Sequence, residues 1–402
     1  MNRGSMLDEL SNKERWNEFL EHRRTKSHLP QQVIKEIEDF IVSERYLPIS
    51  SEISGGTYEF SIPRKRQINK TKVGKKRDVY TYTKDETIIL KMLSHLLHSY
   101  DHLFSPNLYS FRSSQGVKKA LYDLRHTKNI SSMYGYKVDI KNYFNSVDVK
   151  ILLQKLHPEL IDDKRLYDLF YEILSNPFVT FRDEIIKEQK GIMAGVPLSA
   201  FLANFYLKDL DHYFFTKGIT YLRYADDIII FSEDEKELNM HKEKICSFLE
   251  ENGLSVNTNK EFFFEPGEKF EFLGFSIENG VIDLSENTIR KIKGKIKRAS
   301  RSIRRWAIKK DVSGDPVLKT MIRKFDIKFF GKGETELSWK YWFFPTINTD
   351  AGLKEVDGYM QERLRYAVTG RYSKKNFIDV PYERLKECGY RSLVTEFYAG
   401  RK

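Results

Sequence analysis

Cysteine is almost missing from this 402-residue chain, which carries only Cys246 and Cys388. Two cysteines so far apart do not make a disulfide framework, and no Cys/His spacing matches a zinc site. A reducing, cytoplasmic setting is therefore expected. Long apolar runs are missing as well. No stretch reaches the roughly 18 residues of a membrane span, so no membrane partner is expected. The opening MNRGSMLDEL has no apolar segment, which excludes a signal peptide. Residues 1–5 read as a cloning remnant ahead of a natural start at Met6. Internal repeats and low-complexity tracts are also lacking.

Charge and aromatic rings are plentiful. Lys and Arg total 68 against 57 Asp and Glu, a net of +11. Such a balance points to a polyanionic partner and is silent about fold. The 23 Tyr and 28 Phe mostly fill a core, but rings beside positive charge also suit bases and phosphates. Hydrophobic residues at 40% and charged residues at 31% describe a globular chain, long enough for two or three subdomains.

Apolar spacing over residues 6–45 predicts two helices broken near Pro30. Residues 58–83 read as extended with a turn at Gly74, and 84–103 as helix. Tyr134 to Ile140 reads as a strand running into a turn. Residues 149–175 read as helical, 194–215 as a long apolar helix, 219–232 as a hairpin and 236–252 as an amphipathic helix. Two short strands are expected within 261–276. This order predicts an α+β fold with helices on one face of an antiparallel sheet. Beyond about residue 286 the composition changes. Ile289, Ile292, Ile296, Ala299 and Ile303 recur at helical spacing. Eleven Lys or Arg and no acid lie between Arg290 and Lys310. Eleven uncompensated charges repel one another, and a nucleic-acid backbone would relieve them.

The stretch YLRYADDIIIF, Tyr221–Phe231, places two adjacent carboxylates between β-forming flanks, so Asp226 and Asp227 fall in a hairpin turn. Neighbouring carboxylates repel and call for a cation. Upstream, YKVDIKNYFNSVD puts Asp139 at the end of an apolar strand. If that strand lies beside the hairpin, Asp139 and Asp226 converge as hard oxygen ligands, the set Mg²⁺ prefers. His95, His98 and His102 lie at helical spacing with no fourth ligand evident, and read as a polar helix face.

These residues resemble the reverse transcriptases, more narrowly the bacterial enzymes related to group II intron and retron proteins and the defence-associated group. Tyr224–Asp227, YADD, looks like the YxDD motif. Asp139, with Phe144 five residues on, is similar to the first catalytic motif. The resemblance implies two Mg²⁺ ions, with Mn²⁺ as a substitute, held by Asp139, Asp226 and Asp227 with the Ile140 carbonyl. It also implies that Phe144 is a steric gate against the ribose 2′-hydroxyl. GIMAGVPLSAFLAN, Gly191–Asn204, is similar to GxPQGxxxSPxLxN, which implies that Ala194 and Gly195 line the nucleotide site. It departs where Met193-Ala194 replaces Pro-Gln and Ala200 replaces Pro. Lys260, after GLSVNTN, resembles the lysine that protonates departing pyrophosphate. Leu273 and Gly274 in FEFLGF resemble a primer grip. GKKRDVY resembles the fingers motif that clasps the triphosphate, implying Arg77 with Lys70 or Lys72. YSFR, Tyr109–Arg112, resembles the next block and implies Arg112 at the nucleotide.

The resemblance further implies a right-hand polymerase. A helical extension would span 1–29, fingers 30–130, a palm 131–285 with a fingers insertion at about 149–190, and a basic helical thumb 286–402. The implied function is RNA-directed DNA synthesis from dNTPs, with an RNA template and a DNA product. No segment resembles an endonuclease, RNase H or integrase. Together with Ala194, this points to a stand-alone enzyme on a dedicated noncoding RNA in antiphage defence, with a homo-oligomer or a protein partner as open options. An RNA-dependent RNA polymerase and a non-catalytic RNA-binding scaffold are the alternatives.

Overall fold

The computed structural model describes residues 4–26, 29–69, 76–331 and 338–401. Lys70, Lys72 and the turn expected at Gly74 lie outside the described residues. The chain forms two compact units, Met1–Pro266 and Gly267–Lys402.

The first unit opens with α1 (Lys13–Lys26), α2 (Gln31–Val42) and α3 (Tyr46–Gly55), packed around buried Trp16, Phe40 and Tyr46. Strands β1 (Arg64–Asn69) and β2 (Lys76–Thr81) pair antiparallel, as the extended reading of 58–83 expects. Helix α4 (Lys84–Leu96) starts at a capping box in which Thr83 and Glu86 satisfy each other's backbone N–H groups. It gives way to a 3₁₀ turn over Leu97–Leu103, so the helix expected through 103 ends early. Burial among His22, Phe19 and His98 depresses the His95 imidazole to about 4, which suits a neutral packed ring.

After α5 (Val117–His126), the central strand β3 (Tyr134–Asp139) runs to a short helix α6 (Tyr143–Ser146). The region 149–175 is two helices, α7 (Val149–Glu159) and α8 (Lys164–Ser175), each capped by an aspartate, Asp148 and Asp163. The hairpin β4 (Phe178–Phe181) and β5 (Glu184–Lys187) was not foreseen. Its turn residues Arg182 and Asp183 both have positive φ, 55° and 66°, without the glycine that usually announces such a turn. The long helix expected over 194–215 is instead a loop followed by α9 (Ser199–Tyr206) and α10 (Lys208–Thr216), broken at Leu207. All but one residue of α9 is buried, so the apolar run carries no periodicity that could reveal the break.

Strands β6 (Tyr221–Tyr224) and β7 (Asp227–Ser232), helix α11 (Glu235–Glu251) and β8 (Phe262–Phe264) complete the unit. Sheet order is β6-β7-β3-β8, with β3 antiparallel to both neighbours. Helix α11 packs on β3 and β7. A Cβ at Gly135 would lie 1.6 Å from the Phe264 ring, so only glycine lets that ring cross β3.

The second unit begins with β9 (Phe270–Phe272), β10 (Phe275–Glu278) and β11 (Val281–Leu284), a meander that continues into α12 (Glu286–Lys309). Helices α13 (Asp315–Phe330), α14 (Trp339–Trp342), α15 (Ala351–Thr369), α16 (Asn376–Asp379), α17 (Tyr382–Glu387) and α18 (Leu393–Ala399) follow. The division at 266/267 groups this meander with the basic helices. Asp283 explains the grouping, since its carboxylate accepts the Gly352 N–H at 2.9 Å. Ile289, Ile292, Ile296, Ala299 and Ile303 are all buried on α12, as their spacing predicts. Of the eleven cations over 290–310, only Lys293 has an ion pair among the described residues, with Glu355 at 2.6 Å.

Candidate active site

Antiparallel register sets Asp139 at the end of β3 opposite Asp227, the first residue of β7. Tyr224 pairs with Asp227, so Ala225 and Asp226 form a two-residue turn. The Ile140 N–H donates to the Asp226 carbonyl at 3.0 Å and locks that turn to the strand end. Three carboxylates therefore share one sheet edge, as Tyr136–Asp148 and Tyr221–Phe231 predict. Burial first, then the charges of Asp139 and Asp227, push the Asp226 carboxyl up to about 6.

Asp139 is buried and doubly held. Asn257 Nδ2 donates to Oδ1 at 3.2 Å, and Lys260 Nζ lies 2.5 Å from Oδ2. Lys260 thus neutralises Asp139 in this structure. Among the described residues, no three His, Cys, Asp or Glu groups enclose a metal on their own. Mg²⁺ does not need such a cage, because it keeps waters and takes one or two carboxylates plus substrate phosphates. Hard carboxylate oxygens and uncompensated charge at Asp226 fit a divalent ion.

A buried network that sequence reading did not single out holds the turn from below. Arg223 and Asp211 are fully buried and bidentate, with Nη2–Oδ2 at 2.5 Å and Nε–Oδ1 at 2.8 Å. Tyr221 adds a hydroxyl donor to Asp211 at 3.0 Å. Arg223 Nη1 then donates to the Ala225 carbonyl at 3.2 Å. On the other side, the Ala225 N–H donates to Ser110 Oγ at 2.9 Å, and Ser110 donates to Asn204 at 3.0 Å. Ala225 needs these restraints, because its φ of 56° is costly for a residue with a Cβ. The available signal was the arginine three residues before the aspartate pair, an unusual residue inside an apolar strand.

The expected nucleotide residues partly gather. Asn145, beside Phe144, joins two segments. Its Oδ1 accepts the Ala194 N–H at 3.0 Å and its Nδ2 donates to the Asp78 carbonyl at 3.2 Å. The Tyr80 N–H donates to the Ala194 carbonyl at 2.9 Å. Gly195 rests against Val79, and Arg77 shares Val79's face of β2, being two residues away. The Phe144 ring packs edge-on to Phe111 at 6.4 Å, and Phe111 in turn lies 6.3 Å from Tyr224. Arg112 does not join them. Its guanidinium donates to the Ser105, Leu108 and Asp101 carbonyls at 2.8, 3.3 and 3.1 Å, which ties it into its own loop. Leu273 and Gly274 make the β9–β10 turn in the second unit, where Thr288 Oγ1 donates to the Gly274 carbonyl at 2.8 Å.

Gly191 packs tightly beneath Phe144. Its φ is 54°, and a Cβ there would sit 2.5 Å from the Phe144 carbonyl oxygen. Gly191→Ala is expected to lower stability by about 2 kcal/mol from left-handed strain plus the clash. Nucleotide incorporation should fall at least tenfold as Phe144 is displaced. Thermal unfolding and primer extension check both.

Residues 65–277, more than half of the chain, match the family described as reverse transcriptase (RNA-dependent DNA polymerase). The chain belongs to the reverse transcriptase family. It is 22% identical over 312 residues to the protein assigned to COX1/OXI3 intron 1 of Saccharomyces cerevisiae, covering 64% of this chain and 37% of that protein. It is 22% identical over 174 residues to the retron Ec86 reverse transcriptase of Escherichia coli, covering 42% and 50%. It is 25% identical over 139 residues to Protein P of a duck hepatitis B virus, covering 33% and 16%. The chain thus spans half or less of the length of these relatives. A solved telomerase from Candida tropicalis is a loose structural neighbour, at a TM-score of 0.46 and 13% identity over 85% of this chain and 69% of that one. The family match and the antiparallel β6-β7-β3-β8 sheet with its helices make this a right-hand polymerase fold. Among the described residues, no helix is long and apolar enough to cross a membrane.

Proposed function

We propose that this reverse transcriptase family member is an RNA-directed DNA polymerase that adds deoxynucleotides to a 3′-hydroxyl. The convergence of Asp139, Asp226 and Asp227 on one sheet edge carries the reading. Asp139 and Asp226, with Asp227 beside them and the Ile140 carbonyl, would hold two Mg²⁺ ions, or Mn²⁺. Ions so held activate an attacking hydroxyl and stabilise the leaving oxygen. Lys260, bonded to Asp139 here, would leave it to give a proton to a departing pyrophosphate. Arg77, on the face of β2 that meets Gly195, would take a triphosphate oxygen. Fingers, palm and thumb would then follow the ranges read from the sequence, with α12's unpaired cations on the template–product backbone.

The partner we assign is an RNA template, dedicated and noncoding, in antiphage defence. The support is the departure at Met193-Ala194. In place of a long amide side chain, Ala194 presents only its backbone, and both its N–H and its carbonyl are already bonded, to Asn145 and Tyr80. A site with one recognition group fewer suits a template fixed by other contacts. An RNA-dependent RNA polymerase is the second reading, and Phe144 opposes it. Wild type is expected to use dNTPs at least a hundredfold better than NTPs, and Phe144→Ala to narrow that gap at least tenfold. Efficient NTP use by wild type in single-nucleotide incorporation would overturn the assignment.

A further inference from the structure

Away from the aspartates, a cavity of about 540 Å³ opens between α7, α8 and the segment that leads into Gly191. Its size falls within the roughly 300–1,000 Å³ of small-ligand pockets. One wall is Lys190, only 3% exposed. A buried ammonium is costly unless its donors are used. This one has a single hydrogen bond among the described residues, a long contact of 3.5 Å to the Phe178 carbonyl. Burial depresses it to about 8, and the nearby Glu188, which would raise it, is engaged by Lys65 and Tyr80. The cavity also takes Lys150, Gln154 and Gln189 into its lining, and their side chains have no hydrogen bond or ion pair among the described residues. Tyr171, 55% exposed, lies at its rim.

Two ammonium groups, two unused amides and an available aromatic face form a set with one chemical counterpart. The amines call for a doubly charged anion, the amides for the edge of a base, and the ring for its face. We propose that this cavity binds a 5′-phosphorylated nucleoside, with Lys190 and Lys150 on the phosphate, Gln154 and Gln189 on the base edge and Tyr171 against its face. The floor of the cavity continues into Ile192, whose N–H donates to the Phe144 carbonyl at 2.9 Å. Asp148 also lines the cavity, its carboxylate taken by the Lys150 and Ile151 N–H groups, and an occupant would lie one peptide away from the Phe144 segment while touching none of Asp139, Asp226 and Asp227. The ligand could be a free mononucleotide or the 5′ end of a strand. The inference stands whether or not the chain polymerises.

Equilibrium titration of the full chain without divalent cations tests it, using 2′-deoxyadenosine 5′-monophosphate, 2′-deoxyadenosine, and a tetranucleotide with and without a 5′-phosphate. The monophosphate or the phosphorylated tetranucleotide is expected to bind at least tenfold more tightly than its unphosphorylated counterpart. Preference for one of the two identifies the source. Lys190→Met, which removes a buried charge and keeps the volume, should weaken binding at least tenfold, and the exposed Gln154→Ala about threefold. Asp226→Asn should bind as wild type does. Equal binding of phosphorylated and unphosphorylated probes, no binding of either, or loss of binding in Asp226→Asn alone would overturn the proposal.

Discussion

Asp226→Asn is expected to abolish nucleotide incorporation, by at least a thousandfold, and at the same time to make the metal-free protein more stable. The two effects have one cause. Asp226 is held against Asp139 and Asp227 in a part-buried turn, and its carboxyl is pushed up to about 6. The folded state therefore binds that proton more tightly than the unfolded chain, whose carboxyl titrates near 4. Stability falls as pH rises from about 4 to about 6, and above 6 the whole penalty is present. A shift of this size corresponds to roughly 1–3 kcal/mol once solvent screening is discounted. Asparagine keeps the shape and removes the charge, so thermal unfolding in EDTA at pH 7.5 should show a higher Tm for the variant. Near pH 4 the two proteins should converge. Adding Mg²⁺ should raise the wild-type Tm and leave the variant nearly unchanged, because a ligand stabilises only the state it binds.

Arg223→Met is expected to have the largest structural effect of any single change near the site. It strips Asp211 of its bidentate partner where both side chains are fully buried. Breaking a buried pair from one side costs about 3–5 kcal/mol, since the remaining charge has no solvent to return to. Among the described residues Asp211 would keep only Tyr221 as a side-chain donor, and the Ala225 carbonyl would lose Arg223. Urea unfolding should show the loss. Arg223→Met with Asp211→Leu should recover more than half of it, because an apolar pair replaces the orphaned charge. The double variant should remain poorly active, as its strained turn is no longer held from below. Recovery of stability without recovery of activity separates the network's positioning of Asp226 from its contribution to folding.

The parts of the site that the sequence announced are those where chemistry and local pattern coincide. Asp139 ends a strand whose alternation is short but clear, and Asp226-Asp227 sit between β-forming flanks, so register alone brings them together. Helix α12 was legible for a similar reason, since one apolar stripe stands out against ten cations. What could not be read depends on contacts between distant segments. Asn145 links residues 78 and 194, and Ser110 reaches Ala225 and Asn204. Both lie inside motifs that drew notice for other residues, and nothing local shows which distant segment either one reaches. Arg112 shows the converse. Its local motif pointed to a nucleotide, yet three carbonyls of its own loop take its donors. The break at Leu207 and the hairpin at 178–187 escaped because a helix buried on nearly every side has no amphipathic period and the turn lacks glycine.

Three aspartates acting on a primer terminus are tested most directly by primer extension. Wild type and Asp226→Asn, matched for folding by circular dichroism, are given an RNA template, a DNA primer, dNTPs and Mg²⁺. Template-dependent extension by wild type, lost in the variant and lost on adding EDTA, is the predicted result. Extension that Asp226→Asn supports at the wild-type rate would contradict it.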